Sequence, residues 1–114
     1  MAHYLVRGIP KQHKIAKLAS QLDADAFIDL KPFGRALTFS LRRARIEPGG
    51  EAVWEEEDYC SPPLAQERDA VLDDYFDGLQ VEPVAQGEGW RRIESLPHLF
   101  PGLQSTSAAE RARA

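Results

Sequence analysis

The sequence predicts an α+β fold, with one antiparallel sheet and two helices on one face of it. Apolar and polar residues alternate in several short segments, as in half-buried strands, and recur at helical spacing in two others. Gly and Pro residues separate these segments, as turns require. With 114 residues, 43% hydrophobic and 28% charged, the chain has the size and composition of one globular domain.

The first part of the chain predicts a strand, a helix and a second strand. Residues 3–9, HYLVRGI, alternate and are followed by Pro10, which is favoured at the first position of a helix. The helix is predicted because four apolar residues recur on one face: Ile15, Leu18, Ala19 and Leu22. Residues 24–30, ADAFIDL, alternate with period two and predict a half-buried strand.

The middle of the chain predicts a long hairpin. A strand over residues 35–46 and the strand after it flank the turn EPGG. In this register Arg43 lies opposite Trp54, and Arg42 lies opposite Glu55. Exposed cross-strand pairs contribute only about 0.2–1 kcal/mol each, so Arg42→Ala is expected to cost little stability.

The rest of the domain predicts a helix and a closing strand. Ser61 is suited to cap a helix that begins at Pro62. Residues 79–84, LQVEPV, read as a short strand, and Pro83 favours an edge position. The resulting order, strand-helix-strand, hairpin, helix, strand, resembles a ferredoxin-like sandwich.

Three regions are predicted along the chain. Residues 1–86 form the ferredoxin-like α+β domain. Residues 87–103 are predicted to dock as a C-terminal arm with a short helix near Trp90 to Ser95, because they contain many apolar residues. Residues 104–114 are polar and small, and a disordered tail is predicted there.

Composition excludes several classes of function. No segment approaches the roughly 20 apolar residues that span a bilayer, and no leader pattern is present, so a cytoplasmic protein without membrane contact is expected. Cys60 is the single cysteine, and the three histidines are far apart, which gives no zinc-ligand spacing. Cys60 is interpreted as a packed cysteine rather than a nucleophile. We assign no catalytic residue, no metal and no cofactor from the sequence.

Charge is distributed unevenly. Residues 1–50 contain nine Lys or Arg and four Asp or Glu, whereas residues 51–114 contain five and fourteen. Either the two halves neutralise each other in the folded domain, or the basic half binds a polyanion. The helix after Ser61 carries an acidic row that could bind a partner, be solvated or pair with the first helix: Asp69, Asp73 and Asp77.

One segment resembles a nucleic-acid-binding motif. Residues 31–39, KPFGRALTF, match the opening of the octapeptide of RNA-recognition motifs at Lys31, Phe33 and Gly34. Residues 4–10, YLVRGIP, resemble its companion hexapeptide, with Leu5 at the ring position. The resemblance implies contacts to single-stranded RNA or DNA from a basic surface, for which the candidates are Arg7, Lys31, Phe33, Arg35, Arg42 and Arg43.

Three hypotheses follow for the function. The first is a small non-catalytic protein-interaction module that self-associates, as a homodimer, through its open sheet face or its hairpin. The second is a nucleic-acid-binding module with a degenerate RNA-recognition-like sheet. The third is a small enzyme of the dimeric α+β barrel kind, in which His3, Arg7 and Asp29 line a polar cavity.

Overall fold

The computed structural model describes residues 2–58 and 60–103. The strands are β1 (Ala2–Pro10), β2 (Arg45–Ile46), β3 (Ala52–Asp58) and β4 (Phe76–Val84). The helices are α1 (Ile15–Asp23), α2 (Gly34–Arg42), α3 (Ala65–Glu67), α4 (Asp73–Tyr75) and α5 (Glu88–Ile93). A 3₁₀ helix (Gln12–Lys14) precedes α1, and a π-helix (Arg68–Leu72) joins α3 to α4. The predicted α+β class, with one antiparallel sheet, is confirmed.

The four strands form one sheet in the order β2-β3-β1-β4. Every pairing is antiparallel, with Val6 of β1 opposite Trp54 of β3 on one side and Val81 of β4 on the other. β1 is therefore a central strand, and its backbone is hydrogen-bonded on both sides. Alternation along β1 and β3 sends successive side chains to opposite faces of the sheet.

The main core lies on the sheet face that α1 and α2 cover. Leu18 and Leu22 come from α1, and both are fully buried, which confirms the predicted apolar face of this helix. The same cluster includes residues from the sheet, α2 and the helical segment after Cys60: Val6, Leu37, Leu41, Trp54, Val71, Leu72 and Tyr75. Burial of this continuous apolar cluster is the main stabilising contribution to the fold.

The opposite face of the sheet carries a smaller core. Leu5 and Val53 point to this face, and Ile93 of α5 packs on them. Trp90 and Leu96 are half-buried against the same cluster. Both faces of the sheet are therefore covered around β1 and β3.

The predicted strand over residues 24–30 is wrong. The chain forms successive turns there, with Asp25 in the left-handed region at φ 55°. Local backbone bonds replace strand pairing, including Ala26 N–H to the Gln21 carbonyl at 2.9 Å. Phe27 packs edge-on against Tyr75, with ring centroids 6.4 Å apart. The alternation in the sequence thus marks a turn-rich segment with one aromatic anchor.

The predicted long strand over residues 35–46 is also wrong. Most of it forms α2, and only Arg45–Ile46 extends as β2 to pair with β3. Helical spacing buries Leu37 and Leu41 completely and leaves Phe39 50% exposed. The hairpin is therefore short, and the predicted pairs of Arg42 with Glu55 and Arg43 with Trp54 do not form.

The helix predicted after Ser61 begins at Ala65 and continues through the π-helix to Tyr75. Asp58, at the end of β3, accepts a hydrogen bond from the Leu64 N–H at 2.6 Å just before this helix. β4 then starts at Phe76, earlier than the predicted residue 79, and includes Pro83 at the sheet edge as expected. The strand therefore includes residues 76–78, which precede the predicted strand.

The segment after β4 contacts the other edge of the sheet. α5 matches the short helix predicted near Trp90, and Phe100 is buried in the main core. The Ile46 N–H donates to the Pro97 carbonyl, and the Leu99 N–H donates to the Ala44 carbonyl, both at 2.9 Å. These bonds cover the β2 edge, which would otherwise present unpaired backbone groups. The boundary at residue 87 stays a prediction, and the predicted tail, 104–114, lies outside the described residues.

Within the part of the chain that the structure describes, we find no helix with the length and apolar character needed to cross a bilayer.

Candidate functional site

A groove of about 480 Å³ lies where α2, β2 and α5 meet. It is lined by three arginines, two aromatic residues, one histidine and one glutamate: Arg43, Arg45, Arg91, Phe39, Trp90, His98 and Glu94. We call it the basic groove. Its charge contrasts with the formal net charge of −4 for the whole chain. The groove thus carries a local excess of positive charge on an acidic protein.

Helix α2 supplies a stacked pair to the basic groove. Phe39 and Arg43 are one turn apart, so they lie on the same side of the helix. The Arg43 guanidinium carbon lies 3.5 Å from the centre of the Phe39 ring, a cation–π contact. Arg43 Nη1 also donates to the Phe39 carbonyl at 3.1 Å. The guanidinium therefore covers one face of the ring, and half of the Phe39 surface stays exposed.

A hydrogen bond and a backbone bridge hold Arg45 and His98 in place in the basic groove. Arg45 Nη1 donates to the Leu96 carbonyl at 2.6 Å, and the two backbones form a bridge at Arg45 and His98. Burial, and next the charge of Arg45, lower the pKa of His98 below its usual value. His98 is therefore neutral near pH 7, and the positive charge of the groove comes from its arginines.

A buried glutamate positions the α5 wall. The Glu55 carboxylate accepts hydrogen bonds from the backbone N–H groups of Gly87 and Gly89, both at 2.8 Å, and of Trp90 at 3.3 Å. These are donors that a helix N-terminus cannot satisfy internally. Glu55 thus fixes the start of α5 to the sheet, and with it the position of Trp90 and Arg91 in the basic groove.

Most residues predicted to bind a polyanion lie elsewhere. Arg43 lines the basic groove, but Arg42 is buried, and Arg7 pairs with Glu47 at 2.9 Å and Glu82 at 3.7 Å. The remaining three lie around the N-terminal end of α2, away from the sheet surface assumed for them: Lys31, Phe33 and Arg35. Sequence reasoning missed Phe39, Trp90 and Arg91. The spacing of Phe39 and Arg43 would have indicated one side of a helix.

The predicted acidic row is divided among three elements. Asp69 is exposed in the π-helix, Asp73 begins α4, and Asp77 lies in β4. Asp73 pairs with Arg68 at 3.3 Å, and Asp77 pairs with Lys11 at 3.8 Å. Part of its charge is therefore compensated within the monomer.

The residues proposed for a barrel-type enzyme have separate surroundings. His3 lies 3.8 Å from Glu57, Arg7 pairs with Glu47, and Asp29 is exposed in the turns before α2. Within residues 2–58 and 60–103, these three residues have no common ion-pair partner.

A second pocket, of about 380 Å³, lies at the end of β3. It is bordered by the residues around the start of α2, by the end of β3 and by α3: Pro32, Phe33, Ala36, Glu57, Asp58, Cys60, Gln66 and Glu67. One ligand atom each of Asp58, Cys60 and Glu67 lies within 4.8 Å of the other two. We call these three residues the carboxyl–thiol cluster.

Burial controls the protonation of this cluster. Glu67 is 1% exposed, and its burial, with Asp58 beside it, raises the pKa of Glu67 to about 7. Burial also raises the pKa of Asp58, but the hydrogen bonds from Leu64 N–H and from Glu67 outweigh this, so the pKa of Asp58 lies below its usual value. Below about pH 7 one proton is therefore shared between two carboxyl groups, and Glu67 carries it.

The cysteine and a third acid adjoin this pair. A backbone hydrogen bond from Gln66 lowers the pKa of Cys60, but burial and Asp58 outweigh it, so the pKa is raised and the thiol is protonated at neutral pH. Burial raises the pKa of Glu56 well above its usual range, although Trp54 Nε1 donates to its Oε1 at 3.0 Å. The Cys60 thiol is therefore protonated at neutral pH, and burial favours the protonated form of Glu56.

Stability in a chelating buffer is expected to fall as the pH rises from about 5 to 7. The pKa of Glu67 is raised from 4.5 to about 7 by folding, so its protonation stabilises the folded state fully below the lower value and not above the higher one. The expected change is on the order of 1–3 kcal/mol. Urea unfolding at several pH values measures it. Glu67→Gln should remove the part of the dependence that Glu67 causes, and the part that Glu56 causes should remain. A flat profile for the unmodified protein would contradict the assignment.

The sequence did not indicate the carboxyl–thiol cluster, because the helix that brings Glu67 to Asp58 is placed by tertiary packing. The basic groove likewise depends on α2 being helical. Comparison of the chain with models of protein families, with curated proteins and with solved structures found no match.

Proposed function

We propose that the protein is a non-catalytic binding module whose basic groove binds a segment of single-stranded nucleic acid. The observation that carries this proposal is the grouping of three arginines with Phe39 and Trp90 in one groove. Arginines bind phosphates, and aromatic rings stack on bases whatever the sequence. The two kinds of group together are what single-strand binding requires.

The dimensions and exposure of the groove fit this ligand. Its volume of about 480 Å³ lies within the usual range for pockets that hold small organic groups. Half of the Phe39 surface is exposed, which leaves room for a base beside the Arg43 guanidinium. Arg91 is exposed on α5, where it can reach the backbone of the same strand.

The geometry supports nucleic acid over self-association. Homodimer formation was expected through an open sheet face or a long hairpin. α5 packs over Leu5 and Val53 on one face, and β2 contains two residues. One expected dimer surface is thus covered around Leu5 and Val53, and the other is short, which favours the basic groove as the binding surface. The oligomeric state stays a prediction, and light scattering of the free protein measures it.

We also infer that the domain is a variant of the ferredoxin-like sandwich. In that fold two strand-helix-strand units interleave, so that the first and third strands become neighbours. The position of β1 between β3 and β4 supports this inference. The variant would have two helices, α1 and α2, in its first crossover and a second strand of two residues.

Binding is tested with a fluorescein-labelled single strand of about ten nucleotides, titrated at low and moderate salt. Three phosphate contacts predict a slope of log K against log salt of about −2. Arg91→Ala should reduce the slope by about 0.7. Phe39→Ala removes a stacking platform worth about 1–3 kcal/mol, so it should weaken binding about 5- to 150-fold.

Arg35→Ala is the matched control, because Arg35 is exposed on the same helix but does not line the groove. It should leave the affinity within about twofold. If Arg35→Ala weakens binding as much as Arg91→Ala, the ligand lies at the N-terminal end of α2. If the wild type shows no salt-dependent binding, the proposed function is wrong.

A further inference from the structure

Three acidic side chains are buried together near the end of β3. Glu56, Asp58 and Glu67 are between 0% and 3% exposed. None of the ion pairs found among the described residues includes any of these carboxyl groups. Buried acids without a cationic partner must take up either protons or a cation, because an isolated buried charge is very costly.

The carboxyl–thiol cluster has the spacing of metal ligands. Cys60 Sγ lies 3.8 Å from Glu67 Oε1, and both are within 4.8 Å of a carboxylate oxygen of Asp58. Zinc binds sulfur at about 2.3 Å and oxygen at about 2.0 Å, so its tetrahedral ligands are about 3.5 Å apart. Small movements of the three side chains would therefore suffice to coordinate an ion.

A second observation points to an occupant. Glu56 is fully buried, and its Oε2 has no hydrogen-bond partner in the part of the chain that the structure describes. Strand alternation puts Glu56 on the same face of β3 as Asp58. It is also close enough to Glu67 and Asp58 for their charges to act on it. A buried carboxyl oxygen without a partner among the described residues thus lies on the strand face of Asp58, within the electrostatic influence of Glu67.

The surrounding structure already orients one of these donors. The Leu64 N–H donates to Asp58 Oδ2 at 2.6 Å, which fixes the Asp58 carboxylate and leaves its other oxygen for the cluster. Such outer hydrogen bonds are typical of protein metal ligands. The pocket that borders the cluster, between Phe33 and Gln66, provides a route for the ion.

We propose that the cluster binds one divalent transition-metal ion of the zinc type, with Asp58, Cys60 and Glu67 as ligands and Glu56 beside them. A thiolate with carboxylates favours zinc over magnesium or calcium, which prefer ligands made of oxygen alone. Binding displaces the thiol proton of Cys60 and the proton that Glu67 holds, and both go to the solvent. The site is separate from the basic groove and does not depend on the function proposed for it.

Cobalt(II) provides the direct test, on protein without an affinity tag. Co²⁺ bound to a thiolate absorbs in the near ultraviolet, so titration of the wild type should produce this band, and Zn²⁺ should abolish it by competition. Zn²⁺ at saturation should also raise the Tm by about 5 °C or more. No band and no change in Tm would mean that the cluster holds only protons, and the proposal would be overturned.

Variants identify the ligands. Cys60→Ser should lose the band, and Glu67→Gln should weaken Zn²⁺ binding by at least about tenfold. Asp69→Asn is the matched control, because Asp69 is exposed two residues beyond Glu67, and it should leave binding unchanged. Cys60 is only half-buried, so Cys60→Ser should fold even if Glu67→Gln does not. A Zn²⁺ effect on Tm that persists in Cys60→Ser would assign the metal to surface residues and overturn the proposal.

Discussion

Gly34→Ala should destabilise the domain by more than about 3 kcal/mol, a loss of the size seen when backbone must be displaced. A Cβ atom at this position would lie 2.2 Å from the Phe27 carbonyl oxygen and 2.8 Å from that of Ile28. Both are backbone atoms, so no side-chain rotation can relieve the clash. The Gly34 N–H also donates to the Leu30 carbonyl at 2.6 Å, which holds the start of α2 against the preceding turns.

Urea unfolding of Gly34→Ala measures this loss. Gly49→Ala is the control, because a Cβ at Gly49 has no neighbour within 4 Å. It should change the free energy of unfolding by less than about 0.5 kcal/mol. If the two variants are equally stable, the packing of α2 against the turns is not as described. The groove should also be affected by Gly34→Ala, since α2 carries Phe39.

Arg42→Ala should cost about 2–4 kcal/mol, because it removes a buried guanidinium together with the two hydrogen bonds that it donates. Arg42 is 4% exposed, and its Nη2 donates to the Leu22 carbonyl at 2.6 Å and to Asp25 Oδ1 at 2.7 Å. Arg42 on α2 therefore binds the end of α1 and the turn that follows it. The small loss expected from the hairpin model does not apply to this position.

Arg43→Ala is the comparison for Arg42→Ala. Arg43 is half-buried and stacks on an exposed ring, so its loss should cost less than about 1 kcal/mol. Thermal unfolding of both variants at the same pH shows whether Arg42 is buried and Arg43 partly exposed to solvent, or whether both are exposed. Equal, small losses would favour an exposed pairing of both arginines and count against the buried position of Arg42.

Sequence reasoning succeeded where one pattern was compatible with one structure. A single period or a clear boundary marked four elements: the apolar face of α1, β1, β4 and the helix near Trp90. Residues 37–41, by contrast, fit two patterns. The four-residue spacing of Leu37 and Leu41 is typical of a helix, whereas the two-residue spacing of Leu37, Phe39 and Leu41 is typical of a strand. Thr38 and Phe39 favour strands locally, but tertiary packing buries Leu37 and Leu41 and leaves Phe39 exposed.

The candidate sites were harder to predict than the fold class. The turn before α2 depends on Asp25 in the left-handed region, a conformation that the alternating sequence did not indicate. Without that turn, Arg42 was placed on a strand and Phe39 was not assigned to a surface. Glu67 approaches Cys60 and Asp58 through the fold of α3, so residue types and spacing alone gave no sign of the cluster.

The central position of β1 has a consequence for synthesis of the protein. Its partners, β3 and β4, both come later in the chain, and β4 follows after α4. At translation rates of about 5–20 residues per second, β1 emerges several seconds before its second partner exists. Leu5 is without its core neighbour Ile93 during that interval, because Ile93 follows β4 in the chain. The sheet therefore assembles only after β4 has left the ribosome, and pairing between such distant segments makes folding slow for a domain of this size.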